Sequence, residues 1–77
     1  MVKIKLFGTM RLKTGCKEID ADIKSIREAY AVLAQHTGLK EKEFKQCVVA
    51  VNGSPSKVSA SLQEGDEIAF FSPSGGG

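Results

Sequence analysis

At 77 residues the chain can form one domain with a small core and is too short for two. Its composition, 42% hydrophobic and 26% charged, is that of an ordinary folded protein and argues against intrinsic disorder. Eleven basic against nine acidic side chains leave a net charge of +2, too balanced for a dedicated nucleic-acid or membrane-surface binder.

Val2, Ile4 and Leu6 alternate with Lys3 and Lys5, the period-2 pattern of a strand with one wet face. This alternating start lacks the apolar block of a signal peptide. Phe7 places a large aromatic on the same face as the two lysines. Gly8 then allows a turn into a polar loop that ends near Gly15, and Cys16 to Ile19 reads as a second strand, antiparallel to the first. Ser25-Ile26-Arg27-Glu28 matches a capping box. Ile26, Ala29, Tyr30 and Leu33 follow on one helical face, and Gly38 is placed to end the helix just beyond His36.

Leu39 to Gln46 is charged and predicts a short helical turn. Cys47-Val48-Val49-Ala50-Val51 is a β-branched run that predicts a largely buried strand. Asn52-Gly53 is a strong turn dipeptide. Pro55 is expected to exclude its neighbours from a central ladder, leaving Lys57-Val58 as a brief edge strand. Leu62 to Glu67 predicts a tight turn into a final strand, Ile68 to Phe71.

The order β-β-α-β-(β)-β predicts an α+β fold: one mixed sheet of four to five strands with one main helix across a single face. Period 2 puts Val2, Ile4, Leu6, Val49, Val51, Ile68 and Phe70 on the helix side. It puts Phe7, Ala50, Ala69 and Phe71 on the other, as an apolar patch of the kind that marks partner docking. The domain is expected over residues 1–71, with 72–77 a flexible tail. Cys16, Cys47 and His36 make too few soft donors for a zinc or iron–sulfur site, so no metal is expected and both cysteines read as small hydrophobes. Five basic residues and no acid fall in the first 17 positions (Lys3, Lys5, Arg11, Lys13, Lys17), a solvated face or a steering surface for an acidic partner. No nucleophilic triad can be argued around a single histidine, so catalysis by this chain is not expected. The longest apolar run, Ala29 to Ala34, is far below the roughly 18 residues that span a bilayer, and a soluble cytoplasmic protein is expected.

The sequence closes on Ser74-Gly75-Gly76-Gly77. Gly77 offers a carboxyl on an unbranched carbon, about 20 Å beyond Phe71 when extended. Ionised at neutral pH, a carboxylate is a poor acyl electrophile and must be activated, most simply as an acyl-adenylate made by a partner using ATP. Glycine suits a narrow channel because no Cβ obstructs it.

Taken with Val51-Asn52-Gly53, Leu62-x-x-Gly65-Asp66-Glu67-Ile68, Phe70-Phe71 and Gly76-Gly77, the element order resembles the MoaD/ThiS family of ubiquitin-like, β-grasp sulfur carriers. The resemblance covers essentially the whole chain and implies that an E1-like enzyme adenylates Gly77, which becomes a thiocarboxylate. It further implies delivery of the sulfur to a biosynthetic enzyme such as the molybdopterin synthase large subunit, with no cofactor bound and a monomer when free. The segment Phe7 to Gly15 and Phe70-Phe71-x-Pro73 resemble the molybdopterin branch. Ser72 stands where that branch commonly carries a second proline, and with Gly75 it predicts a looser tail. Alternatives are a carrier for thiamine or another sulfur product, a ubiquitin-like modifier joined to lysines, or a β-grasp nucleic-acid-associated module.

Overall fold

A computed structural model describes residues 1–57 and 60–72. Strands β1 (Val2–Leu6), β2 (Glu18–Ala21), β3 (Val48–Val51), β4 (Ser54–Pro55) and β5 (Glu67–Phe71) form one sheet in the order β2-β1-β5-β3-β4. Helices α1 (Thr9–Thr14), α2 (Ile26–Thr37) and α3 (Glu41–Lys45) complete the described elements. Every neighbouring pair is antiparallel except β1 and β5, which run parallel at the centre. The sheet is mixed, as the sequence predicts, and the fold is the β-grasp.

Local chemistry accounts for α2. Ser25 Oγ accepts the Glu28 N–H (3.3 Å), satisfying one orphan donor of the first turn, and Glu28 Oε2 reaches back to accept the Lys24 N–H just before the cap (3.1 Å). At the other end Gly38 takes φ 82° and donates its N–H to Ala34 O, the left-handed cap that glycine adopts without strain. Ile26, Ala29, Tyr30 and Leu33 are buried, on the face expected.

The core lies between α2 and one face of the sheet, where Val2, Ile4, Leu6, Ile68 and Phe70 are buried and Val51 packs at its margin. Phe70 meets Tyr30 and Phe44 edge-on, with ring centroids 5.9 and 6.3 Å away. Cys47 belongs to this core and Cys16 packs against it, as small hydrophobes. Burial pushes the Cys47 thiol pKa up.

Four local expectations are corrected. The segment after Gly8 contains a six-residue helix, α1, where a loop was expected; Gly15 ends it in a left-handed cap. The second strand begins at Glu18, two residues later than predicted, because pairing with β1 (Ile4↔Ile19, Val2↔Ala21) sets its span. The edge strand is Ser54–Pro55 and leaves out Lys57; Val58 lies outside the described residues. Asn52 (φ 51°) and Gly53 (φ 86°) close a two-residue turn, so pairing resumes at once with Val51↔Ser54. Pro55 is tolerated there because β4 is the sheet edge. Finally, β3 is not buried on both faces: Val48 is half exposed.

The turn into β5 is tied to the β3–β4 turn. Asn52 donates to Asp66 Oδ1 and accepts the Glu67 N–H, while Asp66 Oδ2 accepts the Gln63 N–H. The Gln63 amide, then Asn52, hold the Asp66 carboxyl below its ordinary pKa. Because the folded pKa is depressed, this stabilisation is complete above the unfolded value of about 3.9 and is lost as pH falls through the folded value. Asp66→Asn should therefore melt below wild type at pH 7, and the gap should narrow as melts are repeated down through the acid range. Phe70→Ala should cost about 3–5 kcal/mol, most of the stability of a domain this small, and is read by chemical denaturation.

Candidate functional site

The parallel β1–β5 pair lays the first and last strands of the fold side by side. Register Lys3↔Glu67 through Leu6↔Phe70 sets a constant offset of 64 residues, and extending it by one step lays Phe7 beside Phe71. Their rings stack at 5.0 Å and 12°, inside the range where aromatic pairs attract beyond simple burial. Val48 pairs with Phe71 from the other side. One row across three strands thus reads Phe7, Phe71, Val48.

The next row is Lys5, Ala69, Ala50, by the registers Lys5↔Ala69 and Ala50↔Ala69. Beyond it the face becomes charged. Lys5 Nζ lies 3.0 Å from Glu67, and Lys3 Nζ 3.3 Å from Glu18, whose hydrogen bond raises the Lys3 pKa. The outer face therefore grades from ion pairs to an apolar end, and the apolar end is where β5 finishes. Phe71 is 40% and Val48 50% exposed, so this end carries two large apolar side chains that the fold leaves in water. Phe7, Ala50 and Ala69 are half-buried beside them.

Phe7, Ala50, Ala69 and Phe71 are thus brought together on the side away from α2, as the alternation predicts. Two residues join them that sequence reasoning missed. Val48 shares period 2 with Ala50, a signal present in the sequence but masked by the uniformly β-branched run. Arg11 sets its guanidinium 5.6 Å from the Phe7 ring centroid and donates Nε–H to Leu6 O. Its position depends on α1, which the sequence did not announce. Lys13, from the same basic segment, pairs with Glu43 at 2.8 Å and holds the Glu43 carboxyl pKa down. Lys3, Lys5 and Lys13 are therefore matched by acids within the molecule.

At the exit from β5, Ser72 is held by hydrogen bonds, while the looser tail expected beyond it lies outside the described residues. Ser72 Oγ accepts the Thr9 N–H at 2.7 Å, lies 2.7 Å from Thr9 Oγ1 and 3.4 Å from Phe7 O. Ser74, Gly75, Gly76 and Gly77, the predicted reactive arm, lie outside the described residues. A cleft of about 440 Å³ opens at the other end of β1 between Val2, Ile23 and Leu62. The candidate site is consequently a surface at the root of the terminal segment, not a cavity.

Comparison with known proteins bears on the same features. The family model described as ThiS family matches residues 4–77. The chain belongs to the ThiS family. Its members are ubiquitin-like sulfur carriers and modifiers. Among solved structures, small archaeal modifier protein 1 from Methanosarcina acetivorans superposes with TM-score 0.83 at 22% identity, over 99% of this chain and 95% of that one. A chain in the complex of subunits 1 and 2 of molybdopterin-converting factor from Helicobacter pylori gives TM-score 0.73 at 25% identity, over 99% and 97%. A chain of the Amycolatopsis orientalis BexX/CysO complex gives 0.74 at 22%, over the full length of both. No curated protein sequence matches the chain.

The geometry separates two adjacent phenylalanines sharply. Phe71→Asp should keep the fold, losing the stack with Phe7 at a cost of about 1 kcal/mol and a Tm drop of roughly 4–8 °C. Phe70→Asp should leave no cooperative melt at all. Circular dichroism on the two variants reads the difference.

Proposed function

We propose that this ThiS family chain is a sulfur carrier whose Gly77 carboxyl is adenylated by an E1-like partner using ATP and then converted to a thiocarboxylate. The carrying observation is the Phe7–Phe71–Val48 row at the root of a segment that the sequence continues to Gly-Gly-Gly. An apolar row at that place gives a partner a fixed handle beside the arm whose end it must bind. On this reading the chain is substrate and donor; it performs no catalysis, and ATP binds to the partner.

In chemical terms, the Gly77 carboxylate attacks the α-phosphorus of ATP and pyrophosphate departs. Hydrosulfide supplied by the partner's sulfur source then attacks the acyl carbon, the C–S bond forming as the C–O bond to AMP breaks, and loss of one proton leaves the thiocarboxylate with no change of oxidation state. Residues 73–77 would serve as the arm and 1–72 as the body a partner grips. Gly75, Gly76 and Ser74 keep that arm narrow.

Two of the solved neighbours are complexes with a second protein, which supports a sulfur-accepting enzyme as the second partner. Delivery to molybdopterin formation is favoured by the likeness to the molybdopterin-converting factor chain and by the Phe7–Gly15 segment. A cytoplasmic setting follows from the ATP-dependent partner; among the described residues no helix is long and apolar enough to cross a membrane.

The test incubates the pure protein with ATP, a sulfur source and an E1-like enzyme from the same host, then reads the C-terminal peptide by mass spectrometry. One oxygen replaced by sulfur at Gly77 is expected. Removing Gly76 and Gly77, or appending a residue after Gly77, should abolish the product with the melt unchanged. Phe71→Asp should slow activation about tenfold, or ~1.4 kcal/mol, since a charge would be desolvated in the contact. Isopeptide conjugates on lysines of other proteins, with no free thiocarboxylate, would redirect the reading to a protein modifier. Sulfur transfer that survives loss of the two glycines would sink it.

A further inference from the structure

Continuing the 64-residue offset one step past the aromatic stack brings Gly8 against Ser72. The contact is tight: a Cβ built on Gly8 would stand 2.5 Å from Ser72 Oγ and 3.3 Å from Ser72 Cβ. Gly8 holds φ 64° and ψ −140°, a combination open essentially to glycine alone. It thereby turns the chain so that the Thr9 N–H and hydroxyl both face Ser72. A serine hydroxyl has one donor and two acceptor sites. All three are matched if it accepts from Thr9 N–H and Thr9 Oγ1–H, both at 2.7 Å, and donates to Phe7 O, the longest at 3.4 Å. Ser72 also precedes Pro73, which sterically keeps its backbone extended.

We infer that Gly8, Thr9 and Ser72 form a clasp that fixes where, and in which direction, the terminal segment departs from the sheet, making Ser72 a positioning residue for reaction at the glycine end. The inference deepens the carrier reading above and rests on it. The physical argument is one of lever length. A swing at Ser72 is magnified over the five residues that follow it to Gly77, and misplacement of a reacting atom by about 1 Å can cost a hundredfold in rate. The clasp replaces the stiffness that a proline ring would otherwise give at this position with a side-chain bond to the neighbouring turn. Its hydroxyl partners lie on the surface, so a partner protein can break it as well as use it. The clasp should govern turnover, whereas the Phe7–Phe71–Val48 row governs docking.

Two readouts separate the clasp from its role. Thr9 is the first residue of α1, and N–H groups of a first helical turn have no partner within the helix. Protection of the Thr9 amide against hydrogen exchange therefore reports Ser72 directly. It should be present in wild type and Ser72→Thr and lost in Ser72→Ala. In ATP-dependent activation, Ser72→Ala should lower kcat about five- to tenfold with KM within twofold. Ser72→Thr should recover at least half of the loss. Gly8→Ala, which drives its methyl into Ser72 Oγ, should mimic Ser72→Ala, and the double variant should be no slower than either single one.

Equal Thr9 exchange in wild type and Ser72→Ala would overturn the clasp itself. Protected Thr9 with an unchanged kcat in Ser72→Ala would overturn its positioning role while leaving the carrier reading intact. A wild-type chain with Thr9 protected that no ATP-dependent E1-like enzyme activates would overturn the carrier reading, and the positioning role with it.

Discussion

The parallel pairing of β1 with β5 is the constraint on which the rest of the molecule depends. Parallel neighbours cannot be joined by a tight turn, and here everything from Phe7 to Asp66 serves as the crossover. That crossover carries α2, whose apolar face covers the strands it connects. One residue of slip would exchange Phe70 for Phe71 and Ile4 for Lys5 at the core, so register is strongly specified by burial. The same register that fills the core also aligns Phe7 with Phe71 and Gly8 with Ser72. Core packing and site assembly are two readings of one offset.

The two faces of β5 divide the work. Ile68 and Phe70 face α2 and are fully buried; Glu67, Ala69 and Phe71 face outward. Along the outward row, Glu67 is matched by Lys5, and Ala69 meets Ala50 between strands. Phe71 is left with a ring stack and an open edge. Exposed ion pairs of this kind contribute little to stability, yet they fill the charged half of the face with internal partners. What remains unsatisfied is apolar and sits at one end.

How far the sequence is legible depends on how far away the deciding partner lies. Helix α2 could be read because its caps and its apolar stripe are all within a few residues of one another. The Phe70–Phe71 division was readable from alternation alone. Helix α1 was not, because it buries just Met10 and has no side-chain cap at its start. Its long-range support is Lys13 on Glu43, while Arg11 on Leu6 O only ties it back to the end of β1. The edge strand was misplaced by weighing Pro55 above the Asn52-Gly53 turn, although a proline at an edge costs no ladder bond. Ser72 was the least legible residue of all. Its serine identity read as a loss of stiffness, and the turn that holds it lies more than sixty positions away.

The position of β5 within the sheet has a mechanical consequence for a chain proposed to act through its terminal segment. Had the last strand been at an edge, a partner pulling on the arm would load one ladder and could peel it residue by residue. Here β5 is bonded to β1 on one side and β3 on the other, and local opening of a doubly paired, buried strand requires a large share of the global unfolding free energy. Force or binding energy applied beyond Phe71 is therefore absorbed by the clasp at Ser72 before it reaches the core. On the proposed carrier reading, a partner redirects the segment beyond Ser72 by displacing the three hydrogen bonds of its hydroxyl, two exposed and one half-buried, while the aromatic row stays in place.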